Sequence, residues 1–379
     1  MRVLYLIDSL IAGGAERSLA ALAPWYVRAG IRLDVGYLYD RDNVWRPAIE
    51  AAGANVVPLS GRAGMPGSVL RSRRTMRSIR PDLVHTTLFD ADVIGRIASL
   101  GIGVPVVTSL VNVAYGPEHL ANPAIVPWRL RLAQTIDMTT ARRVRRFHAV
   151  STSVADVMSE RLHIARDRMT VIPRGRDPRE MGVRSAARRA VARAALGIPD
   201  DVPMLLAVGR HEYQKGFDVL LHALVEVRRS EPDARLVIAG RTGSETRLLR
   251  ALAEQLGVDT SVSVIGFSEE IPNLLCAADV FVAPSRWEGS PGGVLEAMAL
   301  ESPIVATAIP PIREVVGDGE GALLVSVDDA PALADAIVAT LEGDGSAERV
   351  AAARARFEAR YTIERVAARM IEFYEGVVN

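Results

Sequence analysis

Short apolar runs rich in β-branched residues alternate with longer amphipathic patterns along almost the whole sequence. Short runs of this composition are typical of buried strands, and the longer patterns between them are typical of helices. Regular alternation of strand and helix favours parallel strands joined by crossover helices. The sequence therefore predicts an α/β protein built on doubly wound parallel sheets.

The alternation occurs in two blocks, which indicates two domains. In the first block the predicted strands are Val3–Ile7, Leu33–Tyr39, Asn55–Pro58, Asp82–Thr86, Val104–Thr108, Phe147–Ser151 and Met169–Pro173. In the second they are Met204–Val208, Arg235–Ala239, Ser261–Ile265, Asp279–Ala283, Ile304–Ala306 and Ala322–Val325. A length of 379 residues also exceeds what one hydrophobic core commonly serves. The predicted parts are a first domain, 1–178, a linker, 179–199, a second domain, 200–360, and a terminal helix, 361–379, that packs back on the first domain.

Composition is that of a folded enzyme, with 49% hydrophobic and 24% charged residues. The single cysteine, Cys276, forms no internal disulfide, which fits a reducing cytoplasm. The apolar run near Met1 is too short for a signal peptide, and no later run is long enough to span a membrane. These features predict a cytoplasmic location, with the inner membrane face as a further possibility raised by the charge pattern.

Charge is divided unevenly between the two halves. Residues 1–178 hold 24 arginines and 15 acidic residues, whereas residues 179–379 hold 21 basic and 30 acidic residues. One explanation is an anionic partner of the first half, such as a membrane surface or a phosphorylated acceptor. The other is attraction between the two domains together with a solvated arginine-rich face. The clusters that would meet an anionic surface are Arg71, Arg73, Arg74 and Arg77, and Arg142, Arg143, Arg145 and Arg146.

The first motif, Gly13-Gly14, lies between the opening strand and its helix. Adjacent glycines let a ligand approach the backbone, and a helix N-terminus attracts phosphate. The motif is not G-x-G-x-x-G, so a nicotinamide enzyme is disfavoured. A plain tight turn is the alternative to a phosphate site.

The second motif follows the first strand of the second domain and runs from Gly209 and Arg210 to Lys215 and Gly216. It combines two cations with a helix start, an arrangement that suits a diphosphate. Lys215 is the only lysine in a chain whose other basic residues are all arginine. A site that requires a compact ammonium explains this exception, and chance retention of one lysine is the alternative.

The third motif is a loop rich in glycine, serine and proline, from Ala283 to Ala299. Glu288 lies in the loop and Glu296 in the helix that follows. Both carboxylates are placed to accept hydrogen bonds from hydroxyl groups, while the loop presents backbone groups to phosphate or sugar oxygens. Two unrelated acids on a solvated helix are the alternative.

Together, the Gly-Gly turn, the G-R-x4-K-G segment, the E-x7-E spacing and the linker resemble the retaining glycosyltransferases of family 4 over nearly the whole chain. The resemblance implies the GT-B fold, with two facing Rossmann-like domains. It implies a nucleotide diphosphate-sugar held mainly by the second domain, with Arg210 and Lys215 on the diphosphate. Glu296 would bind the ribose and Glu288 the donor sugar. Gly266 and Phe267 would recognise the base, and the remaining donor contacts would come from Gly13, Gly14, Gly209, Gly289, Ser290, Pro291, Gly292, Gly293 and Val294.

The first domain departs from the family pattern. Relatives of this kind often carry a second histidine after the fourth strand and another after the fifth, where Thr87 and Val111 stand here. His85 is retained and is a catalytic candidate. His119 and Asp90 are further candidates, although the position of Asp90 also fits a helix N-cap.

The resemblance implies transfer of a hexose, from a UDP-sugar first and a GDP-sugar second, to a hydroxyl of a glycan, a lipid or a small metabolite. Attack would occur on the front face with retention. We expect no cofactor, no metal and no nucleic acid partner, because Arg210 and Lys215 supply the positive charge that a metal would bring. The D-x-D segments at Asp40 and Asp90 lack further ligands nearby.

The sequence leaves three alternatives open. A pseudo-glycosyltransferase or a relative that uses a sugar phosphate would share the fold and the donor site. A non-catalytic nucleotide-sugar-binding protein would bind UDP without turnover. A two-domain oxidoreductase is the least favoured, because the dinucleotide motif is absent.

Overall fold

The computed structural model describes residues 1–60, 64–122 and 124–379. The chain forms two compact units. Unit 1 comprises Met1–Gly175 and Ile363–Asn379, and unit 2 comprises Arg176–Thr362. Within the described ranges no helix has both the length and the apolar composition needed to cross a membrane.

Unit 1 is built on a parallel sheet. Its strands are β1 (Arg2–Ile7), β2 (Arg32–Tyr37), β3 (Asn55–Pro58), β4 (Leu83–Thr87), β5 (Val106–Leu110), β6 (Arg146–Ala149) and β7 (Met169–Val171). They are ordered β3-β2-β1-β4-β5-β6-β7, so the strand order reverses between β1 and β4. All seven strands predicted for the first half are confirmed within a few residues.

Helices of unit 1 cover both faces of this sheet. They are α1 (Gly14–Arg28), α2 (Arg46–Ala51), α3 (Met65–Ile79), α4 (Phe89–Ala98), α5 (Pro117–Leu120), α6 (Pro127–Ala141) and α7 (Thr152–Leu162). On β1, Val3 and Ile7 face a core shared with α1. Leu6, one position before Ile7, faces the other way, where Gly95 of α4 lies so close that a Cβ there would stand 2.8 Å from Leu6 Cδ1. The alternation of strand side chains therefore buries both faces.

The last helix of the chain, α17 (Ile363–Val378), belongs to unit 1. Buried residues Val366, Met370 and Tyr374 share a core with Leu19 and Tyr26 of α1. Their spacing of four residues puts them on one face of α17. The helix lies where the sequence predicts a terminal helix.

Unit 2 repeats the architecture with a six-stranded sheet. Its strands are β8 (Met204–Val208), β9 (Arg235–Ala239), β10 (Val262–Ile265), β11 (Val280–Ala283), β12 (Ile304–Thr307) and β13 (Leu323–Val325). They are ordered β10-β9-β8-β11-β12-β13, so the reversal falls between β8 and β11. The six strands predicted for the second half are confirmed, as are the α/β class and the doubly wound topology of both sheets.

Two hydrophobic clusters cover the faces of this second sheet. Leu206 and Phe281 belong to one, whereas Leu205 and Val280 belong to the other. The helices of unit 2 are α8 (Pro178–Met181), α9 (Ala186–Leu196), α10 (Phe217–Ser230), α11 (Thr246–Gln255), α12 (Ile271–Ala277), α13 (Gly292–Ala299), α14 (Pro310–Val316), α15 (Ala330–Leu341) and α16 (Ser346–Arg360).

Residues 179–199, for which the sequence predicts a linker, lie within unit 2. Helix α9 is held there by Arg193, which is 1% exposed. Its guanidinium donates to the carbonyl oxygen of Ala277 at 3.0 Å and to Asp279 Oδ2 at 2.6 Å. Arg188 and Arg189, which are partly exposed on the same helix, give this segment the charged composition of a linker, although the helix is anchored on unit 2.

Candidate active site

Two loops flank the point in unit 2 where the strand order reverses. β8 pairs with β9 on one side and with β11 on the other. The chain leaves the carboxyl ends of β8 and β11 through loops 209–216 and 284–291. Open parallel sheets bind ligands in the crevice between such loops. The second and third sequence motifs therefore meet at one site.

The two loops are joined by Gln214. Its backbone oxygen accepts from the amide of Arg286 at 2.8 Å, and its side-chain amide donates to the carbonyl oxygen of Trp287 at 2.7 Å. Gly216, which ends the first loop, has φ of +64°, and a Cβ there would stand 2.1 Å from the carbonyl oxygen of Pro284. Only glycine suits this left-handed turn at such close approach.

Lys215, Glu288 and Ser285 form a polar cluster between these loops. Lys215 ends a 3₁₀ turn, Tyr213–Lys215, and its Nζ donates to Glu288 Oε1. Ser285 Oγ donates to the same oxygen at 2.9 Å. The side chains of Lys215 and Glu288 are 18% and 9% exposed, so both are mostly shielded from water. An ammonium has three donors and a carboxylate has several acceptor positions, so each keeps capacity for a ligand.

Arg210 lies at the end of β8 and is exposed. Among the residues that the structure describes, its guanidinium has no hydrogen-bonding partner. Five N–H donors are thus available at the mouth of the loop, in a geometry that matches phosphate oxygens.

The segment from Gly289 to Val294 leads into α13, which begins at Gly292. Ser290 is 5% exposed, and its hydroxyl has no hydrogen-bonding partner within the described part of the chain. A buried hydroxyl without a partner costs free energy unless a ligand or water satisfies it. The first amides of α13 are also free of helical partners. This segment therefore offers a hydroxyl and a helix N-terminus to a ligand.

Glu296 lies in α13 and is 2% exposed. Its Oε1 accepts from Nε of Arg176 at 2.8 Å, and Arg176 is itself 5% exposed. A Cβ on Gly292 would stand 2.5 Å from Nη2 of Arg176, so the guanidinium fills the space beside the start of α13. This buried ion pair fixes the orientation of the Glu296 carboxylate. Sequence reasoning did not identify Arg176 as a site residue, because its partner lies far along the chain.

Gly209 follows β8 and Gly266 follows β10, the strands on either side of β9. Gly240, which follows β9, lies between them, and its amide donates to the carbonyl oxygen of Gly266 at 3.2 Å. A Cβ on Gly240 would stand 1.9 Å from the carbonyl oxygen of Gly209, so only glycine fits here. Phe267 follows with 45% of its surface exposed. Its exposed ring can stack on a planar ligand.

Arg286 holds the second loop in place and was missed as a site residue. Its guanidinium donates to both carboxylate oxygens of Asp218, at 2.9 and 2.6 Å, and to Asp328 at 2.8 Å. It also lies over the ring of Tyr213, with 4.0 Å between the guanidinium carbon and the ring centroid. Arg286 thereby ties loop 284–291 to loop 209–216 and to α10. Its place inside the third motif was the only available signal.

In unit 1, the Gly13-Gly14 turn precedes α1 as predicted. A Cβ on Gly14 would stand 2.5 Å from Nη1 of Arg174, and one on Gly13 would stand 2.2 Å from Oε2 of Glu16. The side chains of Arg174 and Glu16 therefore fill the space that the missing Cβ atoms leave. Both contacts are with the ends of flexible side chains, so the turn brings charged groups close to the backbone without itself requiring glycine.

His85 lies in the interior of unit 1, where it is 1% exposed. Its Nε2 is 2.7 Å from Ser109 Oγ, which lies 2.7 Å from Nδ1 of His148. Nε2 of His148 lies 2.7 Å from the carbonyl oxygen of Ile172, which can only accept, so this nitrogen carries a proton. In a neutral imidazole the other nitrogen, Nδ1, then has no proton, so Nδ1 of His148 accepts from the Ser109 hydroxyl. Ser109 Oγ in turn accepts from Nε2 of His85.

The remaining nitrogen of His85, Nδ1, accepts from the Tyr374 hydroxyl at 2.5 Å. Both imidazoles are neutral in this chain of hydrogen bonds, because burial lowers the pKa of His85 well below its usual value and that of His148 to about 4. Both ring nitrogens of His85 are thus engaged inside unit 1. The second imidazole of this region is His148 of β6, rather than a residue at Thr87 or Val111.

Asp90 is in the first turn of α4 and is not its N-cap, which is Leu88. It accepts from the Tyr39 hydroxyl at 2.6 Å. The capping role falls to Asp8 at the end of β1, whose Oδ1 accepts from the amide of Ala91 at 2.7 Å. Burial raises the pKa of Asp8 to about 7.

Two doubly wound parallel sheets, with charged loops at the carboxyl ends of their strands, define the GT-B class of glycosyltransferases. Solved structures share this fold. Anabaena HepE in complex with UDP-glucose is similar over 99% of this chain and 100% of its own, with a TM-score of 0.86 and 22% identity. Sucrose-phosphate synthase from Thermosynechococcus elongatus is similar over 99% of both chains, with a TM-score of 0.83 and 20% identity.

Sequence comparison gives the family. Residues 12–180 match Glycosyltransferase Family 4, and residues 188–356 match Glycosyl transferases group 1. D-inositol 3-phosphate glycosyltransferase of Xylanimonas cellulosilytica is 32% identical over 303 residues, covering 77% of this chain and 71% of that protein. The enzyme of the same name from Nocardioides sp. is 27% identical over 405 residues, covering 96% of this chain and 85% of its own. The chain belongs to glycosyltransferase family 4 and is a glycosyltransferase, as its resemblance to the family predicts.

Proposed function

We propose that this glycosyltransferase moves a hexosyl group from a UDP-sugar to a hydroxyl of a glycan, a lipid or a small metabolite, with retention of configuration. A GDP-sugar is the second candidate donor. The observation that carries the proposal is the cluster of Lys215, Glu288 and Ser285 at the strand-order reversal of unit 2.

Lys215 and Arg210 would bind the donor diphosphate. Cleavage of the glycosyl-phosphate bond leaves negative charge on the departing phosphate, and cations placed beforehand lower the barrier. Glu288 holds Lys215 in position, and the ammonium keeps further donors for a phosphate oxygen. The hydroxyl of Ser290, which has no partner among the described residues, and the first amides of α13 are suited to the same charge.

Glu288 would also accept hydrogen bonds from hydroxyls of the donor sugar, and Glu296 from the ribose. The burial of both carboxylates supports these roles, because hydroxyl contacts gain strength away from water. Gly266 and Phe267 would contact the base. That HepE has been solved with UDP and with UDP-glucose favours uridine over guanosine as the first base to test.

We infer attack on the front face of the sugar. The acceptor oxygen would bond to the anomeric carbon on the side from which the phosphate leaves, and the departing phosphate oxygen would take the acceptor's proton. Such a reaction needs no pair of catalytic carboxylates. We place His85 outside the reacting groups, because both of its ring nitrogens are hydrogen-bonded inside unit 1.

The donor and the stereochemistry are tested together. The protein is incubated with UDP-glucose, GDP-mannose and related nucleotide sugars, and with D-inositol 3-phosphate as the first acceptor, since several relatives are named for it. We expect turnover with a UDP-sugar and an α-linked product from an α-linked donor, identified by the anomeric coupling in the NMR spectrum. An inverted product would overturn retention. Tight UDP binding without turnover on any acceptor of these classes would favour the non-catalytic alternative.

The same assay tests metal dependence. We expect activity to survive an excess of EDTA, because Lys215 and Arg210 supply the positive charge that a metal ion would otherwise bring. The measurement is the initial rate before and after chelation, followed by addition of Mg²⁺ or Mn²⁺. Complete loss with EDTA and recovery with either ion would overturn the metal-free proposal.

A further inference from the structure

Helix α6 carries three large apolar side chains on its outer face. Trp128, Leu132 and Ile136 are 61%, 52% and 37% exposed. Positions four apart on a helix differ by about 40°, so these side chains form one continuous stripe. Single exposed apolar residues are ordinary, whereas an aligned set marks an interaction surface.

The orientation of this stripe is fixed by the inner face of α6. Asp137 is buried, and its carboxylate accepts from Nη1 of Arg96 at 2.6 Å and from the Tyr115 hydroxyl at 2.8 Å. Ala141 is fully buried one turn later. Because α6 is anchored by these contacts, it cannot rotate to hide Trp128 and Leu132.

The residues that flank the stripe along the chain are basic. Arg129 and Arg131 are exposed within α6, and Arg142, Arg143 and Arg145 are exposed just after its end. Residues 112–146 contain only two carboxylates, Glu118 and Asp137, and both are engaged in contacts inside unit 1. Glu118 accepts from Arg161 at 2.6 Å. This stretch therefore carries unbalanced positive charge beside its apolar stripe.

We propose that α6 docks unit 1 on an anionic lipid bilayer. Trp128, Leu132 and Ile136 enter the interface between headgroups and acyl chains, and the flanking arginines contact lipid phosphates. A helix with an apolar stripe, an interfacial tryptophan and basic flanks is the pattern of a surface-bound helix. Arginine suits both flanks, because its stem lies along apolar groups while its guanidinium stays with phosphate.

The positive charge beside the stripe favours an anionic bilayer over a second copy of the chain as its partner. In a two-fold dimer through this face, Arg129 and Arg131 of each copy would approach the same basic surface of the other. No free carboxylate between residues 112 and 146 is available to pair with them. An anionic bilayer complements the apolar stripe and the charge together. The proposal is independent of the identity of the donor and the acceptor.

Flotation with vesicles tests the proposal. We expect wild-type protein to float with phosphatidylcholine vesicles that contain phosphatidylglycerol at physiological salt, and not with phosphatidylcholine alone. The double variant Trp128→Ser, Leu132→Ser should bind the vesicles about ten- to a hundredfold more weakly, because it loses two apolar side chains that enter the bilayer. Leu248→Ser is the matched control, since Leu248 is 56% exposed on α11 of unit 2. Thermal unfolding at the wild-type temperature verifies that each variant is folded.

Fluorescence locates the contact. The chain has four tryptophans, and we expect the emission shift that follows vesicle addition to disappear in Trp128→Phe while flotation persists. Failure of the wild type to float, or equal flotation of the double variant and the control, overturns the proposal. A shift that persists in Trp128→Phe also overturns it. Self-association of the wild type that Leu132→Ser abolishes would assign the face to a second copy instead.

Discussion

Lys215 is the only lysine of the sequence, and its ammonium contacts the buried carboxylate of Glu288. Its stem passes beside Gly209, where a Cβ would stand 2.9 Å from Lys215 Cε. The space around the side chain is therefore narrow as well as anionic. A guanidinium is wider than an ammonium and donates in a fixed plane, so it would not occupy the same position.

We predict that Lys215→Ala lowers kcat/KM by about ten- to a hundredfold or more, the scale of a lost charge-assisted hydrogen bond of about 1.5–3 kcal/mol. Lys215→Arg should also lower it, because the wider head would displace the phosphate. Steady-state kinetics with varied donor measure both effects. Arg247→Ala, at an exposed position of α11, is the control. Unaltered kinetics in Lys215→Arg would show that the lone lysine is an accident of composition.

We predict that loss of the Glu288 carboxylate and loss of the Glu296 carboxylate change different kinetic constants. Loss of the Glu288 carboxylate should mainly lower kcat, since it would touch the moving sugar, and loss of the Glu296 carboxylate should mainly weaken UDP binding. The ion pair of Glu296 with Arg176 determines which substitution to use. Glu296→Ala would remove the carboxylate that this buried guanidinium contacts and would therefore also lower stability.

Glu288→Gln and Glu296→Gln keep the shape of each side chain and are therefore the informative variants. UDP affinity by calorimetry and kcat by steady-state assay separate the two effects, and thermal unfolding monitors the fold. Equal losses of UDP affinity in both variants would contradict the division of roles.

At the scale of elements, Arg286 decides how the two loops of the site are arranged. It joins loop 284–291 to Tyr213, Asp218 and Asp328. We predict that Arg286→Lys raises the donor KM and lowers stability by about 1–3 kcal/mol, because lysine cannot make the two-oxygen contact with Asp218. Asp328→Asn should do less, since its side chain is 51% exposed. An unchanged donor KM in Arg286→Lys would mean that the loops keep their arrangement without this contact.

The strands were predictable from sequence because their signal is local. Val3–Ile7 and Met204–Val208 are short apolar runs bounded by turn residues, and each became a strand of the expected sheet. The strand ends then placed Lys215 and Glu288 at the carboxyl edge of one sheet. Fold and motif positions follow from local pattern and from the rules of parallel sheets.

Contacts distant in sequence were not predictable. Arg176 and Glu296 are 120 residues apart, and no periodicity links them. The sequence predicts only a strand around His148, yet this side chain shares Ser109 with His85. In α9, the arginine-rich composition is that of a linker, while Arg193 is buried against five backbone and side-chain acceptors. In each case the sequence gives the residue type, but only the packing identifies its partner.

At the scale of the whole molecule, the two units carry different kinds of polar chemistry. Unit 2 holds charged groups at its strand ends, including Lys215 and Glu288. Unit 1 holds a buried neutral network through His85, Ser109 and His148, anchored on Ile172 and on Tyr374 of α17. A neutral buried network makes stability depend on pH, because protonation of either imidazole would break a hydrogen bond.

The lowered pKa of His148 determines the direction in which stability changes with pH. Its pKa is lowered to about 4, by burial first and then by Arg174 and Arg369, whereas in the unfolded chain it would be about 6.5. Between these values the unfolded state binds the extra proton, so the contribution of His148 to stability is present above about pH 6.5 and is lost as the pH falls towards 4. Asp8 and Asp92, whose pKa values burial raises to about 7 and about 8, act in the opposite direction. The total pH profile therefore does not isolate His148.

The difference in the free energy of unfolding between wild type and His148→Gln isolates the contribution of His148. Glutamine retains a donor and an acceptor but does not titrate, so the stability advantage of the wild type over this variant should shrink by about 2 kcal/mol between about pH 7.5 and about pH 5. Denaturant unfolding at the two pH values measures the advantage, and His163→Gln, at an exposed position after α7, is the control. A constant difference between wild type and His148→Gln would mean that His148 is not held neutral by the fold. The assigned direction of the hydrogen bonds from Tyr374 to Ile172 would then be wrong as well.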